Sequence, residues 1–544
     1  MMIPPGGNPV PSLPGPVKLV SAKTAQALDA EASAAWGLNP FALVEAAGRG
    51  CAEVFIHAYS AAFQGRLPRM VVLAGSGNNA ADALVMLRAL LRYYPAGASL
   101  HRVVIHRLPD AEERTPRAEA LRAIGKMGVP VFTWKDIEDP GDFLAQADII
   151  IDGITGTGLT GPLQGTAAAM VQAVNALTGP DNRPEGFADR LSRPLVVAID
   201  LPSGNGDAWE PPLPILQAEL SLAIEPIKAA LYNPPARPYA GTIMPVGGIF
   251  PQDLITSFAG SELVSWEHVR YRIPPIKPDA YKHQRGVVEI HAGSPGSTGA
   301  ALIAAAGAQA VGAGLVRLIV DASIYPILAV SAGGVMVVPM GVEDRVVATP
   351  GQETRFYPDA LLLGPGWGKT PDRTVQLHRA LVREREGIPL ILDADAISLA
   401  KDEVFHGNAI LTPHPGEFAA LAGLPRDAVL AHPVPLLTKL AQEKQAVILF
   451  KGHVLFIACG DGRLGVIDGM APVLAAGGTG DLLAGFCTAI AARMKQSGCF
   501  DGYTCALSAA ALLIETARSL GKRFVDPLVM AEQAAAIAGV AWLV

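Results

Sequence analysis

The sequence predicts a two-domain α/β protein built on largely parallel, doubly wound sheets. Three observations carry this. The chain has 544 residues, more than one hydrophobic core ordinarily organises. Short apolar runs recur along it, each passing into a loop of Gly, Asn, Asp, Thr or Ser and then a stretch of helical periodicity, which is the order of a βαβ unit. A Pro-rich stretch from Phe250 to Lys282 breaks this alternation, so the junction is placed within Gly248 to Glu267, with one domain over residues 18–255 and the other over 265–544.

In the first half, Lys18 to Gly37 reads as a helix with Ala25, Leu28 and Ala32 on one face, and Phe41 to Ala58 as a second. Arg69 to Ala74 is an apolar strand that enters Gly75-Ser76-Gly77-Asn78-Asn79 and then a helix bearing Leu84, Leu87 and Leu91. Leu100 to His106 and Val129 to Thr133 are further strands. Ala147 to Asp152 and Leu195 to Asp200 are buried-type strands that each end in a carboxylate. Parallel sheets bind ligands at the carboxyl edge of their strands. Oxygens from Asn79, Asp152 and Ser203 would lie along that edge, where they suit a hard cation. A plainer reading makes Asp152 and Asp200 turn caps.

In the second half, strands are expected at Gly286 to His291, Gly314 to Asp321, Asp359 to Leu363, Pro389 to Leu392, Ala409 to Leu411 and Ala446 to Phe450. Ala300 to Val320 is long and apolar, but Gln309, Arg317 and its many Ala and Gly residues fit a buried helix and strand better than a membrane span. In Ala475 to Met494, small residues precede Asp481, and Leu482, Leu483, Phe486, Ile490 and Met494 form one helical face. Gly477, Gly478, Thr479 and Gly480 would then stand at a helix N-terminus, where free N–H groups and the dipole attract phosphate. Asp481 is placed to take a proton from a hydroxyl as phosphate reaches it. A Gly-rich turn with a favourable first-turn charge is the plainer alternative. Asp393, Asp395 and Glu417 are candidates for arranging Mg²⁺ and water, and Lys451 follows a strand.

Composition narrows the field. Half of the residues are apolar and 17% are charged, which supports large cores and argues against disorder. Net charge is −7, with no basic field for nucleic acid. Cys51, Cys459, Cys487, Cys499 and Cys505 are few, odd in number and without metal-type spacing. A reduced, cytoplasmic protein is expected, with no nucleic-acid or membrane partner. Met1 to Val17 reads as a flexible leader, not a signal peptide.

Two resemblances follow from the motifs. Gly75-x-Gly-Asn-Asn, Asp152-x-x-x-Gly-x-Gly and Asp200-x-Pro-Ser-Gly, in that order, resemble the NAD(P)H-hydrate epimerase family. The resemblance implies a Rossmann-like fold, interconversion of the R and S hydrates of NADH and NADPH, and bound potassium. It implies Asn79, Asp152 and Ser203 as K⁺ ligands and Asp200 as the proton-transfer group. Asn78, Asp82, Gly156 and Gly158 would contact substrate. The family's Asn-Asn-Gly-Gly-Asp-Gly is here Asn78-Asn79-Ala80-Ala81-Asp82-Ala83. If those positions need φ > 0 or close backbone approach, each Cβ is expected to obstruct the ligand.

From Arg270 onward the chain resembles the ADP- or ATP-dependent NAD(P)H-hydrate dehydratase family. Five motifs fall in order: Gly293-Ser-Pro-Gly-Ser-Thr-Gly-Ala, Gly364-Pro-Gly-Trp-Gly, Asp393-Ala-Asp-Ala, Thr412-Pro-His-Pro-Gly-Glu and Gly477-Gly-Thr-Gly-Asp. The resemblance implies a ribokinase-like fold, and phosphorylation of the C6 hydroxyl of the hydrated nicotinamide followed by phosphate elimination. ADP (or ATP) and Mg²⁺ would be its cofactors. Ala300, Gly366 and His414 would contact the hydrate. Lys451, Gly452, His453, Val454, Leu455 and Gly480 would hold the nucleotide, and Asp481 would be the base. The expected whole is a bifunctional repair enzyme acting on NADH hydrate and NADPH hydrate, as a homo-oligomer. The alternative is a ribokinase-like small-molecule kinase with a non-catalytic nucleotide-binding first domain.

Overall fold

A computed structural model describes residues 17–59, 68–93, 100–178, 193–258, 260–341, 348–349, 352–353, 357–521 and 523–543. The expected leader falls on residues outside these, apart from Val17. The chain divides into two compact units, Met1–Ser261 and Glu262–Val544. All five cysteines are free. No helix among the described residues is long and apolar enough to cross a membrane.

In the first unit the strands are β1 (Val17–Val20), β2 (Met70–Ala74), β3 (Arg102–Ile105), β4 (Val131–Thr133), β5 (Ile149–Gly153), β6 (Leu195–Ile199), β7 (Leu220–Ile224), β8 (Ile227–Lys228) and β9 (Thr242–Val246). Among the described residues, seven of these form a parallel sheet in the order β4-β3-β2-β5-β6-β7-β9. This is the doubly wound order 3-2-1-4-5-6 with one strand added, so the chain reverses direction between β2 and β5. Both faces are covered, which is why β2 is apolar throughout and β5 is apolar up to Asp152. Met70, Val72 and Ala74 meet the helices Pro40–Tyr59 and Asn78–Tyr93 on one face, and Val71 and Leu73 belong to the core of the other.

The helix expected over Lys18 to Gly37 is shorter than its periodicity suggested. Val17–Val20 is strand β1, paired parallel with β8, and the helix runs Ala22–Ala34. Ser21 ends the strand and caps the helix, its Oγ accepting the Thr24 N–H at 2.9 Å.

In the second unit the strands are β10 (Ser261–Leu263, at the boundary), β11 (Val287–His291), β12 (Leu315–Val320), β13 (Met336–Pro339), the short hairpin β14 (Ala348–Thr349) and β15 (Gln352–Glu353), then β16 (Ala360–Leu363), β17 (Leu390–Leu392), β18 (Ala409–Leu411), β19 (Val447–Phe450), β20 (Val454–Ala458) and β21 (Leu464–Asp468). The main sheet runs β13-β12-β11-β16-β17-β18-β19-β20-β21. It is parallel up to β19 and antiparallel from β19 to β21.

The helix Thr479–Gln496 is buried from Leu482 to Met494 and packs on the helix Thr298–Ala310. Glycine makes this crossing possible, since a Cβ on Gly485 would stand 2.2 Å from the Ala304 carbonyl oxygen. Gly478 sits against Ile303 and Leu482 against Gly307, so the contacts advance together and the two helices run parallel. Both N-termini therefore open on the same rim, at the carboxyl ends of the strands.

Candidate active sites of the two domains

The first site lies where β2 and β5 end, at the strand-order reversal. Gly75 and Ile154 follow these strands so closely that a Cβ on Gly75 would stand 1.8 Å from the Ile154 carbonyl oxygen. The residues expected to hold a cation come together here. The Ser203 hydroxyl donates to Asp152 Oδ1 at 2.6 Å, and its N–H donates to Oδ2 at 2.8 Å. The Thr155 N–H donates to Ser203 Oγ at 2.9 Å, and Asn79 Nδ2 donates to the Thr155 carbonyl at 2.8 Å. Asp152 is fully buried, and none of these partners carries positive charge. Burial pushes its carboxyl up to about 6, although the Ser203 and Ile154 donors oppose this.

Asp82 and Asp200 form a second cluster. Asp200 follows β6 with φ 64, a left-handed conformation rare outside glycine, and is buried. Lys228, from β8, donates to Asp200 Oδ1 at 2.8 Å and to the Ile224 carbonyl at 3.0 Å. Asp82 projects from the helix Asn78–Tyr93 with Oδ1 buried and unpartnered. Burial, with Asp200 nearby, pushes the Asp82 carboxyl well above the ordinary range; burial also raises Asp200, against the pull of Lys228. Asn78 is exposed at the start of its helix, Gly156 lies against Asn79, and Gly158 has open space beside it.

The alanine set does not obstruct this site in the way expected. Residues 78–93 are helical, and none of Ala80, Ala81 and Ala83 has positive φ. All three are fully buried in the core between helix and sheet. Gly153 makes the room, since a Cβ there would stand 2.7 Å from the Ala83 Cβ.

In the second domain the Gly-rich loop does lead into a helix N-terminus. Gly478 is the N-cap at φ 94, and Asp481 lies in the first turn. Lys451, at the end of β19, donates to Asp393 Oδ1 at 2.7 Å, and the Thr412 hydroxyl donates to the same oxygen at 2.7 Å. A Cβ on Gly480 would be 3.2 Å from the Lys451 Nζ. Burial, then the charge of Asp393, pushes Asp481 up to about 7; Lys451 opposes this and Glu417 adds to it. Lys451 itself is raised: the charges of Asp393, Glu417 and Asp481 outweigh its burial. A carboxyl balanced near neutrality beside a lysine and a helix N-terminus can take a proton while negative charge is held next to it.

A cavity of about 400 Å³ adjoins this group. Of the expected nucleotide residues, Lys451, Gly452, His453, Leu455 and Gly480 line it, while Val454 is buried in β20 and does not. The rest of the lining is mainly apolar: Met470, Pro472, Leu474, Leu483, Leu513 and Ile514. Apart from Leu483, which lies on the helical face read after the Gly-rich loop, sequence reading missed these, because they come from an irregular segment and a late helix that carry no motif. Ala300 and Gly366 do meet, since a Cβ on Gly366 would be 2.9 Å from the Ala300 Cβ. His414 N-caps the helix Pro415–Ala422, accepting the Gly416 N–H at Nδ1, and Glu417 accepts the His414 N–H in return.

The candidates for arranging Mg²⁺ do not converge as a set. Asp393 is engaged by Lys451 and Glu417 by the cap, while Asp395 accepts the Gly368 N–H at 2.8 Å. Among the described residues no group of three or more His, Cys, Asp or Glu side chains is arranged to hold a metal ion.

Comparison with known proteins covers both domains. A family profile described as NAD(P)H-hydrate dehydratase matches residues 288–534, and one described as YjeF-related protein N-terminus matches 40–230. The chain is 31% identical to the bifunctional NAD(P)H-hydrate repair enzyme of Moorella thermoacetica over 93% of each chain. It is 31% identical to that of Salinibacter ruber, covering 87% of this chain and 88% of the relative, and 26% identical to that of Escherichia coli, covering 85% and 82%. Among solved structures, the ADP/ATP-dependent NAD(P)H-hydrate dehydratase of Bacillus subtilis, co-crystallised with ATP/Mg²⁺, aligns at 27% identity and a TM-score of 0.43, over 51% of this chain and 96% of that one. With both halves matched in order and the Moorella relative aligned over nearly its whole length, the chain belongs to the bifunctional NAD(P)H-hydrate repair enzyme family.

Proposed function

We propose that the protein returns damaged, hydrated nicotinamide cofactors to use. Its second domain, residues 265–544, dehydrates the S hydrates of NADH and NADPH with ADP as phosphoryl donor, and its first, residues 18–255, interconverts the R and S forms. The observation that carries this is the placement of Asp481 in the first turn of a helix whose Gly-rich N-terminus adjoins Lys451 and the 400 Å³ cavity. Asp481 takes the proton of the C6 hydroxyl, the terminal phosphoryl of ADP passes to that oxygen and AMP leaves; the C6–O bond then breaks to release phosphate, and loss of a C5 proton restores the nicotinamide ring. The apolar lining suits an adenine base, and Lys451 and the N–H groups at Gly480 suit the phosphates. Ala300, Gly366 and His414 hold the hydrate. Mg²⁺ would be held mainly by the nucleotide's phosphates and would neutralise their charge, since among the described residues no group of carboxylates is arranged to hold a metal ion.

In the first domain, Asn79, Asp152 and Ser203 would hold K⁺, and the buried Asp152 carboxylate without a cationic partner fits that ion. Asp200 transfers the proton, and Asn78, Asp82, Gly156 and Gly158 contact the hydrate. Core placement of Ala80, Ala81 and Ala83 leaves this site open. The free cysteines agree with a cytoplasmic location, and a homo-oligomer is proposed with it.

The test is to supply mixed R and S hydrated NADH with ADP and Mg²⁺ and follow NADH absorbance. Complete conversion, well above spontaneous epimerisation, is expected. Conversion of only the S fraction would remove the epimerase assignment. Accumulation of a phosphorylated product without NADH would instead identify a small-molecule kinase.

A further inference from the structure

The first domain gathers more acid than base around Asp200. Asp29 from the helix Ala22–Ala34, Cys51 from the helix Pro40–Tyr59, Asp82 from the helix Asn78–Tyr93 and Asp200 after β6 lie within electrostatic reach of one another, and among the described residues Lys228 is the cation that faces them. One ammonium balances one carboxylate. Its position says which: Lys228 Nζ is 2.8 Å from Asp200, both are buried, and a second bond to the Ile224 carbonyl fixes the ammonium there. Asp200 is held to receive it by its left-handed backbone and by its N–H, which donates to the Leu222 carbonyl at 2.9 Å. Asp82 has no such partner. It is more than nine-tenths buried, and its Oδ1 makes no hydrogen bond among the described residues. A buried carboxyl left without a cation keeps its proton.

We propose that Lys228 is a positioning residue for epimerisation, holding Asp200 as the carboxylate base while Asp82 retains its proton and serves as the acid. The inference rests on the epimerase reading of this domain. The substrate's C6 carries a hydroxyl and is bonded to the ring nitrogen N1. Asp82 gives its proton to the hydroxyl, the C6–O bond breaks, and water leaves. The N1 lone pair forms the C6=N1 bond, giving a cationic ring that the surplus of carboxylates stabilises. Water then adds to the other face of C6 and loses its proton to Asp200. One water leaves and one enters, the configuration at C6 is inverted, and the proton now on Asp200 returns to Asp82 between turnovers. Two carboxyls in unlike surroundings, one paired with an ammonium and one buried without it, are the general pattern for such acid–base work.

The test uses the full chain and the S hydrate of NADH without nucleotide, following the approach to the R/S mixture by chromatography across pH. Lys228→Met is expected to slow epimerisation by about 10²-fold or more. It is also expected to move the acid limb of kcat/KM upward by about one to three pH units, because Asp200 loses the charge that lowers its pKa. Lys228→Arg keeps the limb near its wild-type position. A Lys228→Met chain with the wild-type rate, or a slow one whose acid limb has not moved, overturns the proposal. If Lys228→Met removes the first domain's melting transition, Asp82→Asn decides instead: it preserves the Lys228–Asp200 pair, and epimerisation at the wild-type rate would refute the role of Asp82. A wild-type chain no faster than buffer alone would overturn the epimerase reading itself.

Discussion

On the proposed function, Asp481 would serve chemistry at the expense of stability. Burial and the neighbouring Asp393 lift its carboxyl to about 7, so it is poised to accept a proton at neutral pH but is costly to ionise in the folded state. Two outcomes follow. Asp481→Asn is expected to lower the dehydration rate by about 10²- to 10⁴-fold, and the wild-type rate to fall below pH 7 as the base is protonated. The folded-state pKa lies above the unfolded one, so this group's contribution to stability is fully present below about pH 4 and lost as pH rises through 7. Asp481→Asn should therefore melt above wild type at pH 8, by about 2–4 °C for each kcal/mol relieved, with the gap closing toward pH 4. Thermal scans at the two pH values check it; an unchanged gap would argue against a raised pKa. The motif made Asp481 legible in the sequence, because a Gly run, a carboxylate and a helical face lie within one stretch. Lys228 was not legible, since its meaning comes from Asp200 and Asp82, 28 and 146 positions away, meeting across folded elements. At Asp152 the expected effect is on cation response. Wild type should melt higher in K⁺ than in Na⁺, and Asp152→Asn should lose the difference; the same K⁺ gain in the variant would remove Asp152 from the cation site.

Among elements, those read correctly share a simple physical basis. Ala409–Leu411 and Leu195–Ile199 are apolar runs ending at a polar loop, and burial on both sheet faces leaves them little alternative. The strands Leu220–Ile224 and Thr242–Val246 went unread, because Pro226, Pro234, Pro235, Pro238 and Pro245 give that region the look of a linker. Pro245 is accommodated in β9, at the end of the sheet order. Helix Ala22–Ala34 was overextended because Leu19 and Val20 continue its apolar pattern, and only the Ser21 cap separates strand from helix. The alanine set was misjudged for a related reason: a motif shows which residues are present, but not that these positions face the sheet. Gly485 offers the sharpest test at this scale. Gly485→Val drives a branched side chain into the Ala304 backbone, and a loss of about 1–3 kcal/mol or more by denaturant titration is expected. A loss below 0.5 kcal/mol would mean that the crossing can relax.

At the scale of the molecule, two units with separate cores carry two reactions on one substrate pool. A lesion such as Gly485→Val should therefore remove NADH formation while the same sample still equilibrates the R and S hydrates. Joint loss of both activities would show that the units do not fold independently. Fold class and the two-site organisation were legible because strand, loop and helix repeat throughout; the cavity beside Asp481 was legible only on its Lys451, Gly452, His453, Leu455 and Gly480 side, because Met470, Pro472, Leu474, Leu513 and Ile514 share no common pattern. The parallel pair of helices in the second unit has one more effect. Both open their positive ends on the rim where, on the proposed function, elimination would free inorganic phosphate, so the by-product would leave against a favourable field. Turnover is then expected to slow as phosphate accumulates, competitively with the adenine nucleotide, and steady-state rates measured at rising phosphate would register it.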